Sequence, residues 1–276
     1  MFSLNLNGKL VSLETPLIMG ILNSTPDSFY QESRTSTDAT ISARVKKMVS
    51  EGVDIIDVGG YSSRPDAVEI STEEEKARLE KALGVIEREA PGVPVSVDTF
   101  RSEIARWAVE EHGVAMINDI SGGTLDEKMF DTIAELQVAY VVMHMRGTPK
   151  TMQQLTHYEH LTEEIIEWFS HRLEQLHKKG VNDVLIDPGF GFAKTIEQNY
   201  ELMNRLEDFH PLNCPLLIGI SRKSMIYKSL GINPEEALNG TTMLNTIALM
   251  KGANILRVHD VREAVECVAL YKQLRQ

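Results

Sequence analysis

The chain lacks several features that mark secreted, membrane and zinc-binding proteins. Its 276 residues include only two cysteines, Cys214 and Cys267, far apart and without C-x-x-C spacing, so neither a disulfide framework nor a structural zinc site is expected. No apolar run approaches the roughly 20 residues that cross a bilayer. The N-terminal segment MFSLNLNGKL has no basic stretch followed by a long apolar one. We therefore expect a cytoplasmic protein that does not bind membranes.

The chain also has little positive charge. Its 28 Lys and Arg residues stand against 40 Asp and Glu residues, which gives a net charge of −12. Such an acidic balance argues against a broad nucleic-acid footprint, so no nucleic-acid partner is expected. Any anionic ligand must then be met by a local cluster of basic side chains.

Short apolar runs that alternate with amphipathic stretches are abundant. The eight runs are PLIMGIL, VDIIDVG, VPVSVD, VAMIND, VAYVVMH, DVLIDP, PLLIGIS and NILRVHD. Near-continuous apolar runs are typical of parallel strands buried on both faces. The amphipathic stretches predict helices over 38–51, 71–89, 101–112, 127–136, 158–179, 196–209, 234–251 and 261–274. Eight strand–helix units predict a single (β/α)₈ TIM-barrel domain over residues 1–276.

Two further segments bear on the fold. Residues 1–14 alternate around Asn7-Gly8 and predict a β-hairpin that could plug the N-terminal end of the barrel. The segment PGFGFAK supplies a G-x-G after a predicted strand, which is the weak support for an open dinucleotide-binding sheet instead. The third glycine of that fingerprint is absent, and no acid ends a strand about 20 residues later.

Polar residues are concentrated at the C-terminal ends of the predicted strands, where the active sites of such barrels lie. Asp98, Asn118 and Asp187 suit a flat heterocycle with an edge of N–H groups. Asn23 and Asp27 add oxygen ligands of the kind that Mg²⁺ accepts alongside substrate phosphates. A basic set that could hold a polyanion completes the ring: Arg64, Arg222, Lys223, Arg257 and His259.

Single members of this ring have simpler explanations. Asp98 or Asp119 alone could be only a helix N-cap. Lys223 could be a solvated residue in a first helical turn, and Phe190 and Phe192 could either pack in the core or stack on a ligand. The H-x-x-H pair, His157 and His160, has no partner acids at metal spacing and predicts a solvated surface.

Nine segments, in this order, resemble the dihydropteroate synthase family: IMGILNSTPDSF, IIDVGGYSSRP, VSVDTFRSEIA, INDISGG, MHMRGTPKTMQ, DPGFGFAKTIEQN, GISRKSMI, NGTT and LRVHD. The resemblance runs from about Pro16 to Asp260. It implies a (β/α)₈ barrel that joins para-aminobenzoate to 6-hydroxymethyl-7,8-dihydropterin diphosphate, releasing pyrophosphate and making 7,8-dihydropteroate for folate synthesis. It also implies a homodimer formed through the later helices.

The resemblance assigns roles to residues. Asn23 would bind Mg²⁺. The pterin ring would be held by Asp98, Asn118, Asp187 and Lys223. The pyrophosphate would be anchored by Arg257 and His259, with Asn23 completing that end. Of this set, we expect Asp98, Asp187, Lys223, Arg257 and His259 to be needed for catalysis.

The same resemblance assigns the aminobenzoate side. Ser63, Arg64 and Pro65 would frame the diphosphate and the aminobenzoate, and Phe29 would close over the latter. Ser224 would meet its carboxylate, and Phe192 is counted among the ligand-binding aromatics. Since no free base is expected among these residues, the resemblance and the charge pattern together favour a dissociative reaction.

The chain departs from the family pattern in two loops. Tyr61, Ser63 and Asp66 stand where the family usually has Glu, Thr and Gly, and Gln31 replaces a loop carboxylate. A catalytically weakened paralogue is therefore a second hypothesis. A pterin-binding methyl-transfer barrel is a third hypothesis, and it would not need Lys223, Arg257 and His259 as a diphosphate cradle. A non-enzymatic module would bind pterin and release no product.

Overall fold

The computed structural model describes residues 2–24, 38–64 and 67–275. A two-stranded antiparallel hairpin comes first, with β1 at Ser3–Leu6 and β2 at Lys9–Ser12. Eight parallel strands follow: β3 (Leu17–Asn23), β4 (Ile55–Gly59), β5 (Val95–Asp98), β6 (Met116–Asp119), β7 (Ala139–Met143), β8 (Val184–Asp187), β9 (Leu217–Ile218) and β10 (Ile255–Val258).

Helices lie between these strands. The α-helices of the described residues are α1 (Asp38–Glu51), α2 (Thr72–Glu89), α3 (Ser102–His112), α4 (Met129–Leu136), α5 (Leu161–Lys178), α6 (Ile196–Asn204), α7 (Ser224–Leu230), α8 (Leu238–Met250) and α9 (Val261–Leu274). Short 3₁₀ turns occupy Met152–Gln154, Leu206–Leu212 and Pro234–Glu236. None of the helices in the described ranges is both long enough and apolar enough to span a bilayer.

The eight parallel strands close into a barrel. Their order is β8-β7-β6-β5-β4-β3-β10-β9. The two ends of this series meet where Ile186 bridges Leu216 in parallel, and the Ile186 N–H donates to the Pro215 carbonyl (3.0 Å). The predicted TIM barrel is therefore confirmed, and the open dinucleotide-binding sheet is wrong.

Strand alternation separates an outer core from an inner one. Ile56 and Val58 of β4 pack outward against the helices, whereas Ile55 faces the barrel interior. The hairpin side chains Leu4 and Leu6 pack against interior residues near the beginnings of the strands. The hairpin therefore plugs the N-terminal end of the barrel, as predicted, and leaves the C-terminal end for a site.

Two helical predictions differ from the structure. A short helix, α7, precedes the predicted 234–251 helix, and Gly231 ends it in the left-handed region (φ 66°). The 234–251 segment itself divides into a 3₁₀ turn and α8. The predicted 196–209 helix becomes α6 and a 3₁₀ turn, in which Pro211 lacks the N–H that a regular helical bond would need.

Candidate active site

A cavity of about 260 Å³ opens at the C-terminal ends of the strands. The predicted site residues that line it are Asn23, Ser63, Arg64, Asp98, Phe192, Arg222, Lys223, Arg257 and His259. They come from the ends of six strands and the loops that follow. Asn118 and Asp187 are buried and do not line the cavity; Asn118 donates to Asp57, and Asp187 interacts electrostatically with the cavity-lining Lys223. The structure thus brings together side chains that are up to 236 positions apart, between Asn23 and His259.

An acidic network underlies the cavity and holds Arg257. The Arg257 Nε–H donates to Asp57 Oδ2, and Nη2 donates to Asp98 Oδ2, each at 2.7 Å. The same Asp57 oxygen accepts from Asn118 Nδ2 (3.1 Å). Asp57 is fully buried on β4 and was not predicted, because it lies one layer below the strand tip. The signal that could have found it is an acid inside the apolar run VDIIDVG.

Burial shifts the titration of the acids. It raises the pKa of Asp98 to about 7, against the opposing effect of Arg257. It also raises the pKa of Asp187, against the nearby Lys223 ammonium and the Gly189 N–H, which donates to Asp187 Oδ1 (2.8 Å). Both carboxyls are therefore poised to gain from a ligand that donates hydrogen bonds to them.

The basic groups of the cavity are also shifted. Burial lowers the pKa of Lys223 to about 8, and its Nζ donates to the Phe190 carbonyl (2.5 Å) and lies 4.7 Å from the centre of the Phe192 ring. Burial, together with Arg257, lowers the pKa of His259 to about 4. His259 is therefore a neutral imidazole near pH 7, with Nδ1 3.2 Å from Ser221 Oγ.

Comparison with known proteins places this site in a family. The sequence pattern of the pterin binding enzyme family matches residues 19–259. The dihydropteroate synthase of Escherichia coli K12 is 41% identical over 266 residues, which is 95% of this chain and 92% of that protein. The chain belongs to the dihydropteroate synthase family.

Solved structures of dihydropteroate synthases are also similar to this chain. The crystal structure of the Yersinia pestis dihydropteroate synthase with a sulfonamide drug complex has a TM-score of 0.91 and 35% identity over 99% of both chains. The Xanthomonas albilineans dihydropteroate synthase in complex with 7,8-dihydropteroate has a TM-score of 0.87 and 31% identity over 99% of both chains. The methyl-transfer barrel is therefore the wrong family for this chain.

Some of the residues predicted for the site do not line the cavity or lie outside the described residues. Phe29 and Pro65, like Asp27, Gln31 and Asp66, lie outside the described residues. Ser224 is half-buried at the start of α7 and does not line the cavity. Arg222, grouped with the phosphate-binding cations from sequence, does line the cavity, and its Nε and Nη2 also donate to Asp260 (2.9 and 3.0 Å).

The simpler explanations can now be assigned. Asp98 caps no helix, since the first N–H of α3 is met by Asp126. Asp119 does have a local role, because it accepts from the Ser121 and Gly123 N–H groups. Phe190 is fully buried in the outer core, whereas Phe192 lines the cavity.

The glycine-rich loop after β8 is shaped from within the protein. Gly189 adopts φ 73°, and a Cβ there would come within 2.0 Å of the His144 carbonyl, so this position requires glycine. The buried Lys194 Nζ donates to the Gly189 and Phe192 carbonyls (3.0 Å each). The close neighbour that requires glycine at this position is therefore the barrel backbone at His144.

The second loop, where this chain departs from the dihydropteroate synthase pattern, is packed against α2 and the segment that precedes α3. Tyr61 meets Phe100 edge to face (5.1 Å between ring centres), and the Arg101 guanidinium lies over the Tyr61 ring. Arg101 in turn pairs with the fully buried Glu75, which also accepts from Thr99 Oγ1 (2.7 Å). Neither Glu75 nor Arg101 was predicted as part of the site, because a helix and a loop supply them.

Proposed function

We propose that the cavity holds a dihydropterin diphosphate with its ring on the buried carboxylates and its diphosphate at the basic rim, and that the dihydropterin-methyl group passes to para-aminobenzoate by a dissociative route. The protein is a transferase of folate biosynthesis, as its family membership shows. The observation that supports the proposed orientation is a single cavity with Asp98 below and Lys223, Arg257 and His259 around it.

The ring end of the ligand needs hydrogen-bond acceptors in a dry pocket. Asp98 and Asp187 supply carboxylates there, and Asn118 supplies an amide. Charge-assisted hydrogen bonds of this type contribute on the order of 1.5–3 kcal/mol each. A heterocycle with an N–H edge would therefore be bound mainly by these three side chains.

The diphosphate end needs positive charge and hydrogen-bond donors. Arg257 supplies a guanidinium. With Nδ1 close to the Ser221 hydroxyl, a neutral His259 can accept there and present its Nε2–H to a phosphate oxygen. These two groups neutralise a diphosphate only in part, which leaves a place for a cation.

The residues present fit a bound Mg²⁺. The half-buried Asn23 lines the cavity beside Arg257 and His259, and its amide oxygen is a hard ligand that can share the ion with substrate phosphates. Within the described ranges no cluster of three or more His, Cys, Asp or Glu could form a separate metal cage. When bound at Asn23, Mg²⁺ would supply charge neutralisation for the departing pyrophosphate.

The chemistry of the cavity favours activation of the leaving group. Of the described residues, Lys223 and His259 are the only lysine and histidine that line it. His259, with a pKa of about 4, is a weak base, and Lys223 is engaged with Phe190. Departure of pyrophosphate before attack by the aminobenzoate nitrogen requires no base and uses the basic rim directly.

The aminobenzoate is proposed to bind on the outer side of the cavity. Ser63, Arg64 and Phe192 line that part of the described structure, and Ser224 lies just beyond it. The contributions of Phe29 and Pro65 stay predictions from the family. A cytoplasmic location is likewise proposed on the sequence alone.

A coupled assay tests this function. Pyrophosphate release should require both dihydropterin diphosphate and para-aminobenzoate, and the other product should be 7,8-dihydropteroate. If the rate and the extent of pyrophosphate release do not depend on aminobenzoate, the transfer reaction is contradicted. Tight binding of both compounds without turnover would instead favour the weakened paralogue or the binding module.

A further inference from the structure

We propose that Asp57 is a positioning residue that sets the orientation of two ligand-binding side chains, Asn118 and Arg257. Its side chain is fully buried on the inner face of β4, in register with Ile21 of β3 and Ser96 of β5. One oxygen, Oδ2, accepts from both Arg257 Nε and Asn118 Nδ2. The inference rests on the proposed function, since it concerns how the pterin pocket recognises its ligand.

The contact with Asn118 fixes which end of its amide faces the ligand. Asp57 Oδ2 accepts hydrogen bonds from both Arg257 Nε and Asn118 Nδ2, so the NH₂ group of Asn118 faces Asp57. The amide oxygen then points away from Asp57. A ligand edge made of N–H groups is complementary to that orientation, and a flipped amide would place donor against donor.

The contact with Arg257 fixes the plane of its guanidinium. The Nε–H is held by Asp57 and one Nη2–H by Asp98, which are on neighbouring strands. Nη1 makes no hydrogen bond within the described part of the chain, so it is the part of the fork that remains for a ligand. Without Asp57, the Nε–H and Nη2–H groups of Arg257 could both donate to Asp98 and occupy a carboxylate oxygen that the pterin needs.

A role in stability alone does not account for Asp57. Its second oxygen, Oδ1, is buried and has no hydrogen-bond partner among the described residues. A buried carboxylate that served only stability would be expected to have both oxygens satisfied, because each unpaired one is unfavourable. Asp119 is such a case: it is also fully buried, and its two oxygens accept from Ser121, Gly123 and Tyr140.

Asp119 therefore provides a matched control. Asp57→Asn and Asp119→Asn each replace one fully buried carboxyl group by an amide without changing side-chain size. Only the first should alter ligand recognition. Calorimetry with 6-hydroxymethyl-7,8-dihydropterin and with its 2-oxo analogue, on protein shown to be folded by circular dichroism, separates recognition from stability. Wild-type binding of the pterin, measured first, tests the proposed function on its own.

We expect Asp57→Asn to lower pterin affinity about tenfold or more and to shrink the preference for the 2-amino over the 2-oxo compound. Asp119→Asn should lower the melting temperature and leave both affinities within about twofold. Unchanged affinity and preference in Asp57→Asn would overturn the proposal, as would equal losses for both ligands. Asp57→Ser serves if Asp57→Asn does not fold. Failure of both to fold while Asp119→Asn folds would make Asp57 a folding residue and overturn the proposal.

Discussion

At the scale of single residues, Asp98 links ligand binding to pH. Its pKa is raised to about 7 by burial, so near neutral pH a fraction of the molecules carry a protonated Asp98. A pterin N–H edge donates to the ionised form and will lower this pKa on binding. Binding near pH 7 should then release protons, and affinity should rise with pH up to about 7 and level off above it.

Calorimetry in buffers of different ionisation enthalpy measures the released protons. Asp98→Asn should bind more weakly and release fewer protons, with a remainder from Asp187, whose pKa burial also raises. Equal proton release by the wild type and Asp98→Asn would show that Asp98 does not titrate on binding.

Asn23 is the residue proposed to bind Mg²⁺, so we expect it to set the response to the ion. Asn23→Ala removes the one proposed protein ligand, so the Mg²⁺ concentration for half-maximal activity should rise about tenfold or more. Excess chelator should abolish turnover by the wild type. Ser62, which lines the same cavity, supplies the control: Ser62→Ala should leave the Mg²⁺ requirement unchanged. Full activity in chelator would rule the metal out.

The sequence predicted side chains at the strand tips and missed those beneath them. Asp98, Arg257 and His259 were found because strand alternation and the barrel together fix where a tip points. Asp57 and Glu75 were missed because their roles depend on partners that lie 200 and 26 residues away, Arg257 and Arg101. Local pattern carries no information on such pairs.

At the scale of elements, the buried pair Glu75–Arg101 ties α2 to the start of α3 beneath the second loop. Arg101→Met leaves Glu75 buried without its cation, which should destabilise the protein by roughly 3–5 kcal/mol. Replacing both residues, as Glu75→Leu with Arg101→Met, should recover part of that loss because no charge is then left unpaired. Urea unfolding measures both.

Arg106→Met is the matched surface control for Arg101→Met. Arg106 also pairs with two acids, Glu110 and Glu135, but its side chain is 40% exposed, so its loss should destabilise the protein far less than the loss of Arg101. A double variant at 75 and 101 that is no more stable than Arg101→Met alone would argue against an unpaired-charge mechanism.

Strands were predicted correctly where the apolar run is long and the strand is buried along its whole length. The strands β4 and β7 are buried throughout, so their apolar runs are unambiguous. Helix α7 was missed because its seven residues give too few turns for a periodic signal. The run PLLIGIS yields only the two-residue β9, since the barrel closes there through a single bridge to β8.

At the scale of the whole molecule, we propose a homodimer formed through α8 and α9, helices that pack on each other. Their outer surface carries large apolar side chains that are 58–72% exposed: Met243, Met250, Leu270 and Leu274. Such a patch on a monomer usually marks an interface. Sedimentation should show a dimer, and Met250→Glu with Leu270→Glu should give monomers. Leu10→Glu, on the exposed hairpin, should leave the dimer intact. A monomeric wild type would refute this.

The reaction order is the last property that the whole site determines. The basic rim, with Mg²⁺ if it is bound at Asn23, would stabilise departing pyrophosphate, and the buried carboxylates would stabilise positive charge left on the dihydropterin. The C–O bond should therefore break before the aminobenzoate nitrogen attacks.

Isotope labelling tests this order of steps. Dihydropterin diphosphate carries oxygen-18 at the bridging position between carbon and phosphorus and is incubated with enzyme and Mg²⁺ but no aminobenzoate. The label should then appear in non-bridging positions. The same incubation is repeated with para-methylbenzoate, which has no amino group and can therefore fill the aminobenzoate pocket without reacting. If bound pyrophosphate cannot rotate, no scrambling would be seen even when the C–O bond breaks first. A secondary deuterium kinetic isotope effect at the exocyclic carbon then tests the order, and it should be large and normal if cleavage comes before attack. A value near unity, with no scrambling, would establish concerted displacement instead.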